Sequence, residues 1–427
     1  MIVNRRMNFF SMIWRVVLFC ILYIILLSIP TYKIIGGYSI RVVLCTILIA
    51  YSLIICFLTK RRFIFDGIIK CYFAYIFLYI LANIINGELF YNSEHIHILT
   101  NHYASISVIL FFPIIFYSKT NIKAALLSLM FIFFTTLFIS YLQFEKNNIG
   151  WWIGQMLINE NISAQAERIV ESNDSFIGTS VIVGIFNSAV TNGYFISSFL
   201  PLVMVIPLFL NKYKNILFDN MIFVAAIVIS FFLQQRACML LVILFIVYYY
   251  YSYLKNNRIQ GSILIFLILS FVLLYLPDYL INIDTGRFAE AGDTRSGLFL
   301  HFLDWLDSDD VIWGGIGSYR LKYDDPQHNT LLSAWILGGI FCFILMTILI
   351  ASLLIKLYKF SNNHDRIIRT CALCGMFFVF NSMLHSAGIQ NKATMFWIIY
   401  MVLISRLYSI KRIQIGYNKS SENCHCI

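Results

Sequence analysis

The residues best suited to chemistry cluster in the second half of the chain. His328 stands in "YDDPQHNTLLSAWILGGIFCFILMTILIASLLIK" (323–356), at the lip of about two dozen nearly uncharged residues. Its ordinary pKa of about 6.5 lets an imidazole take up a proton near neutral pH. Just upstream, "TGRFAEAGDTRSGLFLHFLDWLDSDDVIWGGIGSYRLK" (285–322) carries Arg287, Arg295, Arg320 and Lys322. Arg236, in "FFLQQRACMLLVI", opens another apolar run. Several guanidinium groups near one imidazole suit an anionic ligand, because the guanidinium fork matches phosphate oxygens bidentately. Taken singly, each has a plainer reading. His328 reads as a loop histidine bonded to its neighbours, and Arg236 as an arginine reaching for lipid headgroups.

Composition says what must position these groups. Of 427 residues 60% are hydrophobic and 12% charged, and the mean hydropathy is +0.79. Ordinary globular domains are about 25% charged. That much apolar surface calls for lipid, and irregular backbone cannot face lipid, so the expected architecture is all-α and polytopic. Twelve candidate spans lie near 12–30, 39–58, 68–86, 103–117, 123–143, 194–210, 216–234, 237–254, 262–280, 330–355, 367–387 and 393–410. The N-terminal run lacks a small-residue cleavage site and reads as an uncleaved first helix. "DSFIGTSVIVGIFNSAV" (174–190) reads as a re-entrant or interfacial piece.

The net charge of +10 does not point to nucleic acid, because the basic residues are scattered through short loops. They set an orientation instead. With both termini in the cytoplasm, every short inner loop carries at least two Lys or Arg, including Lys60–Arg61–Arg62, and the C-terminal tail adds Lys411–Arg412. Two long loops then fall outside, at 143–193 and 281–329, within one integral membrane domain spanning 1–427. Long loops in compact proteins usually carry function. This places His328 and the arginines on the outer face.

"RIVESNDSFIG" (168–178) and "RFAEAGDTRSG" (287–297) share Arg-x-x-Glu-x-x-Asp-[Ser/Thr]-x-x-Gly, one copy in each long loop. A shared role would involve Arg168 and Arg287. The pairs Asp309–Asp310 and Asp324–Asp325 are expected to be solvated rather than metal-bound. His95, His97 and His102, in "SEHIHILTNH", read as a solvated outer loop. His385 lies near the outer face, and His301 is placed to pack on Trp305. "CALC" (371–374) reads as helix packing, and no cysteine lies in an outer loop, so no disulfide framework is expected. No Gly-x-x-x-x-Gly-Lys loop appears. Apart from Asp219 the spans read as nearly clean of charge, which speaks against an alternating-access carrier.

Four features in chain order resemble the O-antigen polymerase (Wzy-type) and O-antigen ligase superfamily. They are Gln234-Gln235-Arg236-Ala237 opening a span, the loop arginines Arg287 and Arg295 before an aromatic segment ending in Trp305, the "GGIGSYR" turn (314–320), and "HNTLLSAWILGGI" (328–340). The region from about 220 to 345 carries the likeness, and the first half matches in topology alone. The resemblance implies a GT-C-like glycosyltransferase of about twelve helices in the bacterial inner membrane. It would act on undecaprenyl-pyrophosphate-linked oligosaccharide outside the membrane, without metal, nucleotide or other cofactor. His328 would be the general base. Arg236, Arg295, Arg287, Arg320, Asn329 and Arg168 would bind substrate. Membrane lipids and a chain-length regulator would be partners, and nucleic acid would not. Ligases often show a His-x-His-Asn-Glu-like stretch. Here Pro326-Gln327-His328-Asn329-Thr330 stands in its place, which favours a polymerase over a ligase. Both Arg…Gly segments have nine intervening residues, one short of the Arg-x10-Gly pattern described for some polymerases.

Overall fold

The computed structural model of the chain is described over residues 2–28, 33–35, 38–59, 67–89, 93–116, 118–145, 147–150, 152–153, 189–209, 216–232, 236–254, 300–307, 311–315, 319, 329–363 and 366–384. Ten long helices fill them: α1 (Ile2–Ser28), α2 (Ile40–Thr59), α3 (Gly67–Ile85), α4 (Ser93–Ile115), α5 (Lys119–Phe144), α6 (Ala189–Phe209), α7 (Ile216–Phe232), α8 (Arg236–Leu254), α9 (Thr330–Ser361) and α10 (Arg366–Leu384). Each overlaps one of the twelve expected spans. The spans near 262–280 and 393–410, and the 174–190 segment, lie outside the described residues. One departure from an all-α chain is a small ribbon, β1 (Lys33–Ile35) antiparallel to β2 (Tyr38–Ser39).

Among the described residues, five helical stretches are long and apolar enough to cross a membrane: Ile40–Thr59, Gly67–Ile85, Ile98–Ile115, Thr120–Gln143 and Thr330–Ser361. Large apolar side chains such as Phe57, Leu58, Phe77 and Val224 face outward, as lipid permits and water would not. The helices pack as α3 on α9, α9 on α10, α10 on α6, α2 along α4 and α1 along α5. Serine and threonine hydroxyls inside the helices bond back to the carbonyl four residues earlier, as at Ser52, Thr136 and Ser230.

Three expectations change. The fourth span begins ten residues earlier than its hydropathy suggests, because α4 starts at Ser93. His95 and His102 are therefore buried in a helix bundle, not solvated in a loop. Tyrosines on α3 make this possible by supplying hydrogen-bond partners to both rings. Second, the expected 330–355 span is interrupted. Gly339 has φ 76° and ψ −175°, so α9 is two helices meeting at a kink. Residues 340–361, about 33 Å long at 1.5 Å per residue, suffice to cross the roughly 30 Å hydrocarbon core. Residues 330–338 form a separate short helix. Third, the expected exception, Asp219, is joined by a second charge: Arg41, near the start of α2, is 2% exposed. Asp219 itself, near the start of α7, is buried and accepts a hydrogen bond from the Tyr249 hydroxyl of α8. Cys371 and Cys374 are buried free thiols in α10, in keeping with the packing reading.

Candidate functional site

The third and fourth features of the sequence pattern meet at the break in α9. Helix 300–305 turns Phe302 and Trp305 inward. Phe302 lies edge-on to Trp335 of α9, with ring centroids 5.6 Å apart, and Trp305 lies edge-on to Tyr319 at 6.1 Å. The Trp335 indole donates to the carbonyl of Val311 at 2.9 Å. Aromatic packing thus lays the described parts of the 281–329 loop on the first half of α9.

The loop then enters the break itself. Gly315 N–H donates to the Ile336 carbonyl at 2.8 Å, and Ile340 N–H donates to the Ile312 carbonyl at 3.2 Å. A kink frees backbone groups that must find partners inside a bundle, and these two bonds supply them. Side-chain amides from the end of α3 complete the arrangement. Asn83 donates to the Leu337 carbonyl at 2.9 Å, and Asn86 donates to the carbonyls of Trp313 (2.9 Å) and Gly314 (2.6 Å). The backbones approach so closely that a Cβ on Gly339 would lie 2.0 Å from the Ile312 oxygen. A Cβ on Gly314, whose φ is +82°, would lie 2.7 Å from the Gly339 nitrogen. The sequence signals were the "GGIG" and "ILGGI" glycines. Asn83 and Asn86, in "ILANIING", carry no comparable signal in the sequence.

Asn329 closes the N-terminal end of α9. Its side-chain oxygen accepts from the N–H groups of Leu331 (2.9 Å) and Leu332 (3.3 Å). Its amide donates to the Met383 carbonyl at 3.1 Å, near the end of α10. Next to it, the Thr330 hydroxyl donates to the Ser382 carbonyl. Asn329 therefore serves as an N-cap and an interhelical tie. Asn329→Ala removes both, so it should lower the melting temperature of the purified protein, with a cap loss of about 0.5–2 kcal/mol. Asn329→Asp keeps the acceptor and should recover most of the loss, which a thermal-shift measurement resolves.

Of the other expected site residues, Arg236 is the first residue of α8. Two positions on, the Cys238 thiol hydrogen-bonds with Ser230 of α7 at 3.2 Å and with Ser197 of α6. The helix start that bears Arg236 is thus pinned to two neighbouring helices. His328, Arg168, Arg287, Arg295 and Arg320 lie outside the described residues, as do Asp309–Asp310, Asp324–Asp325 and His385. His328 immediately precedes the anchored Asn329. Among the described residues, no three of His, Cys, Asp and Glu gather as a metal-binding group.

A second polar constellation lies between α3 and α4. The Tyr79 hydroxyl and His95 Nδ1 are 2.5 Å apart, and His95 Nε2 lies 3.2 Å from a Glu88 carboxylate oxygen. Lower down the same helices, the Tyr72 hydroxyl lies 2.8 Å from His102 Nδ1. The signal available in the sequence was a shared seven-residue spacing, Tyr72/Tyr79 on one helix and His95/His102 on the other, which puts each pair on one helix face. Comparison with protein-family models, with curated proteins and with solved structures finds no match to this chain.

Proposed function

We propose that the chain is a membrane glycosyltransferase that joins undecaprenyl-pyrophosphate-linked oligosaccharide repeat units on the periplasmic face, as an O-antigen or related polysaccharide polymerase. In this reading an acceptor sugar hydroxyl attacks the anomeric carbon of the donor. The carbon–oxygen bond to the pyrophosphate breaks, and undecaprenyl pyrophosphate leaves with its electron pair. His328 takes the hydroxyl proton as general base. Arg236, Arg295 and Arg287 hold the pyrophosphate as its charge grows, with Arg320 and Arg168 further along the glycan. Asn329 acts as a positioning residue, because its side chain is engaged with Leu331, Leu332 and Met383.

The observation that carries this reading is the docking of the Gly314–Gly315 turn into the α9 break beside the anchored Asn329 cap. A catalytic group needs a rigid support, and residue 328 is covalently joined to one. The helix start bearing Arg236 is braced separately through Cys238. The test is a reaction of purified protein with one lipid-linked repeat unit and no nucleotide. A ladder of chain lengths is expected. Transfer that occurs only on adding lipid A–core would make the protein a ligase instead.

One observation favours a different class, a carrier of lipid-linked sugars. His95 and His102 are buried in the bundle, and ionisable groups buried among membrane helices often mark transport pathways. With the purified protein reconstituted in phospholipid vesicles, movement of the lipid-linked unit between leaflets without new glycosidic bonds would establish that reading.

A further inference from the structure

The Tyr–His pairs between α3 and α4 have no part in the polymerase reading, and their chemistry is independent of it. Tyr72, Tyr79, His95 and His102 are each 2% exposed or less, whereas the Glu88 side chain is 21% exposed. Glu88 therefore reaches the surface of the protein where the others do not. From Glu88 the contacts run inward: carboxylate to His95 Nε2 at 3.2 Å, and His95 Nδ1 to the Tyr79 hydroxyl at 2.5 Å. The Tyr79 ring then stands edge-on to His102 at 5.9 Å, and His102 Nδ1 meets the Tyr72 hydroxyl at 2.8 Å. Ser105 also hydrogen-bonds the Tyr72 hydroxyl. Between residues 72 and 85 α3 rises about 20 Å, roughly two-thirds of a hydrocarbon core.

One atom of this series is unexplained as structure. His102 Nε2 is buried and has no hydrogen-bond partner among the described residues. An orphaned buried nitrogen costs about 1–3 kcal/mol, so a purely structural residue at this position would be better apolar. An imidazole whose other nitrogen already meets a phenol, and which binds a proton or a water at Nε2, accounts for it. Among the described residues, the titratable groups shown beside the pair are Tyr75 and Tyr79 of α3, whose rings lie against His102, with His95 and Glu88 beyond them. The helices packed on α4 and α3 carry Arg41, Cys45 and Tyr51 on α2 and Cys342 on α9. Of these named groups Glu88 is the one acid.

We propose that His102, with Tyr72, is a proton-binding site inside the membrane domain, loaded from the protein surface through Glu88, His95 and Tyr79. A proton arrives at the Glu88 carboxylate and passes to His95 Nε2, while the proton on Nδ1 moves to the Tyr79 oxygen. Tyr79 releases its own hydroxyl proton, through one water, to His102. Each group ends with the proton count it started with, except His102, which gains one. The Tyr79 ring also abuts the α9 break, since a Cβ on Gly338 would lie 3.5 Å from its Cδ2. Protonation would therefore be felt next to the docked loop.

The experiment uses the full chain, labelled with 15N-histidine and reconstituted in phospholipid vesicles, with solid-state NMR signals assigned by His102→Gln and His95→Gln. Lowering the pH from about 8 to about 4 spans the imidazole range. His102 is expected to convert to the doubly protonated ring, and Glu88→Gln or Tyr79→Phe should slow its proton exchange at least tenfold. Glu88 lies at the protein surface, so Glu88→Gln keeps the test available if Tyr79→Phe fails to fold. The proposal is overturned if His102 stays in one neutral tautomer throughout. It is equally overturned if exchange at His102 is as fast in folded Glu88→Gln protein as in wild type.

Discussion

His328→Ala protein should insert and melt like wild type yet elongate lipid-linked repeat units about 10²–10⁴-fold more slowly, the range that a positioned general base contributes. The expectation rests on the division of labour at the start of α9. Asn329 carries the capping and tethering bonds, and Thr330 reinforces them through Ser382. Removing the imidazole next door should therefore leave the helix start intact. Asn329→Ala should do the reverse, losing stability first and activity through it. Arg295→Ala should lose about 10²–10³-fold, as expected for a donor that stabilises charge forming on a leaving group. Arg295→Lys should recover only part of that, because an ammonium cannot reproduce the bidentate fork. The measurement is the ladder of products from one lipid-linked repeat unit, read beside a thermal melt of each variant. Wild-type chain lengths from well-folded His328→Ala protein would remove the imidazole from the mechanism.

The helices were legible because lipid-facing surface leaves a strong trace. Exposed Phe57, Leu58 and Phe77 are as apolar as buried Ile76, so each run is greasy on every face. Hydropathy fails where a helix stays within the protein. The first half of α4 reads "SEHIHILTNH", which suggests a loop, although Tyr72 and Tyr79 of a neighbouring helix meet the Nδ1 atoms of His102 and His95. That partnership depends on which helices pack together, which local hydropathy does not encode. The α9 break escaped for a related reason. "ILGGI" fits a continuous span, and the Val311–Gly315 segment of the preceding loop fills the kink. The glycines of both stretches stand out in the sequence, but their mutual contact is a tertiary fact. Arg41 carries no such trace: nothing in the hydropathy of its span marks a guanidinium that the bundle buries. At the candidate site, Arg236 stands at a helix start, as the sequence suggests, while the capping role of Asn329 adds to its expected place among the substrate ligands.

Gly339→Ala should be the most damaging single methyl that can be added to the described helices. At φ 76° and ψ −175° the residue occupies a region essentially restricted to glycine, at a cost of about 1–3 kcal/mol for a side chain that must stay there. Strain is the smaller part. The new carbon would sit 2.0 Å from the Ile312 oxygen and 2.6 Å from its carbonyl carbon, both backbone atoms that cannot swing aside. Relief requires expelling the 311–315 loop, which breaks the bonds Ile340 to Ile312 and Gly315 to Ile336 together and strips Asn86 of its acceptors. Each unpaired group then costs about 1–3 kcal/mol where water cannot reach it. The sum approaches the whole stability of a typical domain, about 5–15 kcal/mol. Gly339→Ala should accordingly give little monodisperse protein on size-exclusion chromatography, and any that survives should have lost the loop dock. Gly67→Ala, at the first position of α3 with nothing within 4 Å of the added carbon, should behave as wild type in the same assay. Equal yields and melting temperatures for the two variants would mean that loop and broken helix are not locked together, and the rigid support proposed for His328 would be gone with them.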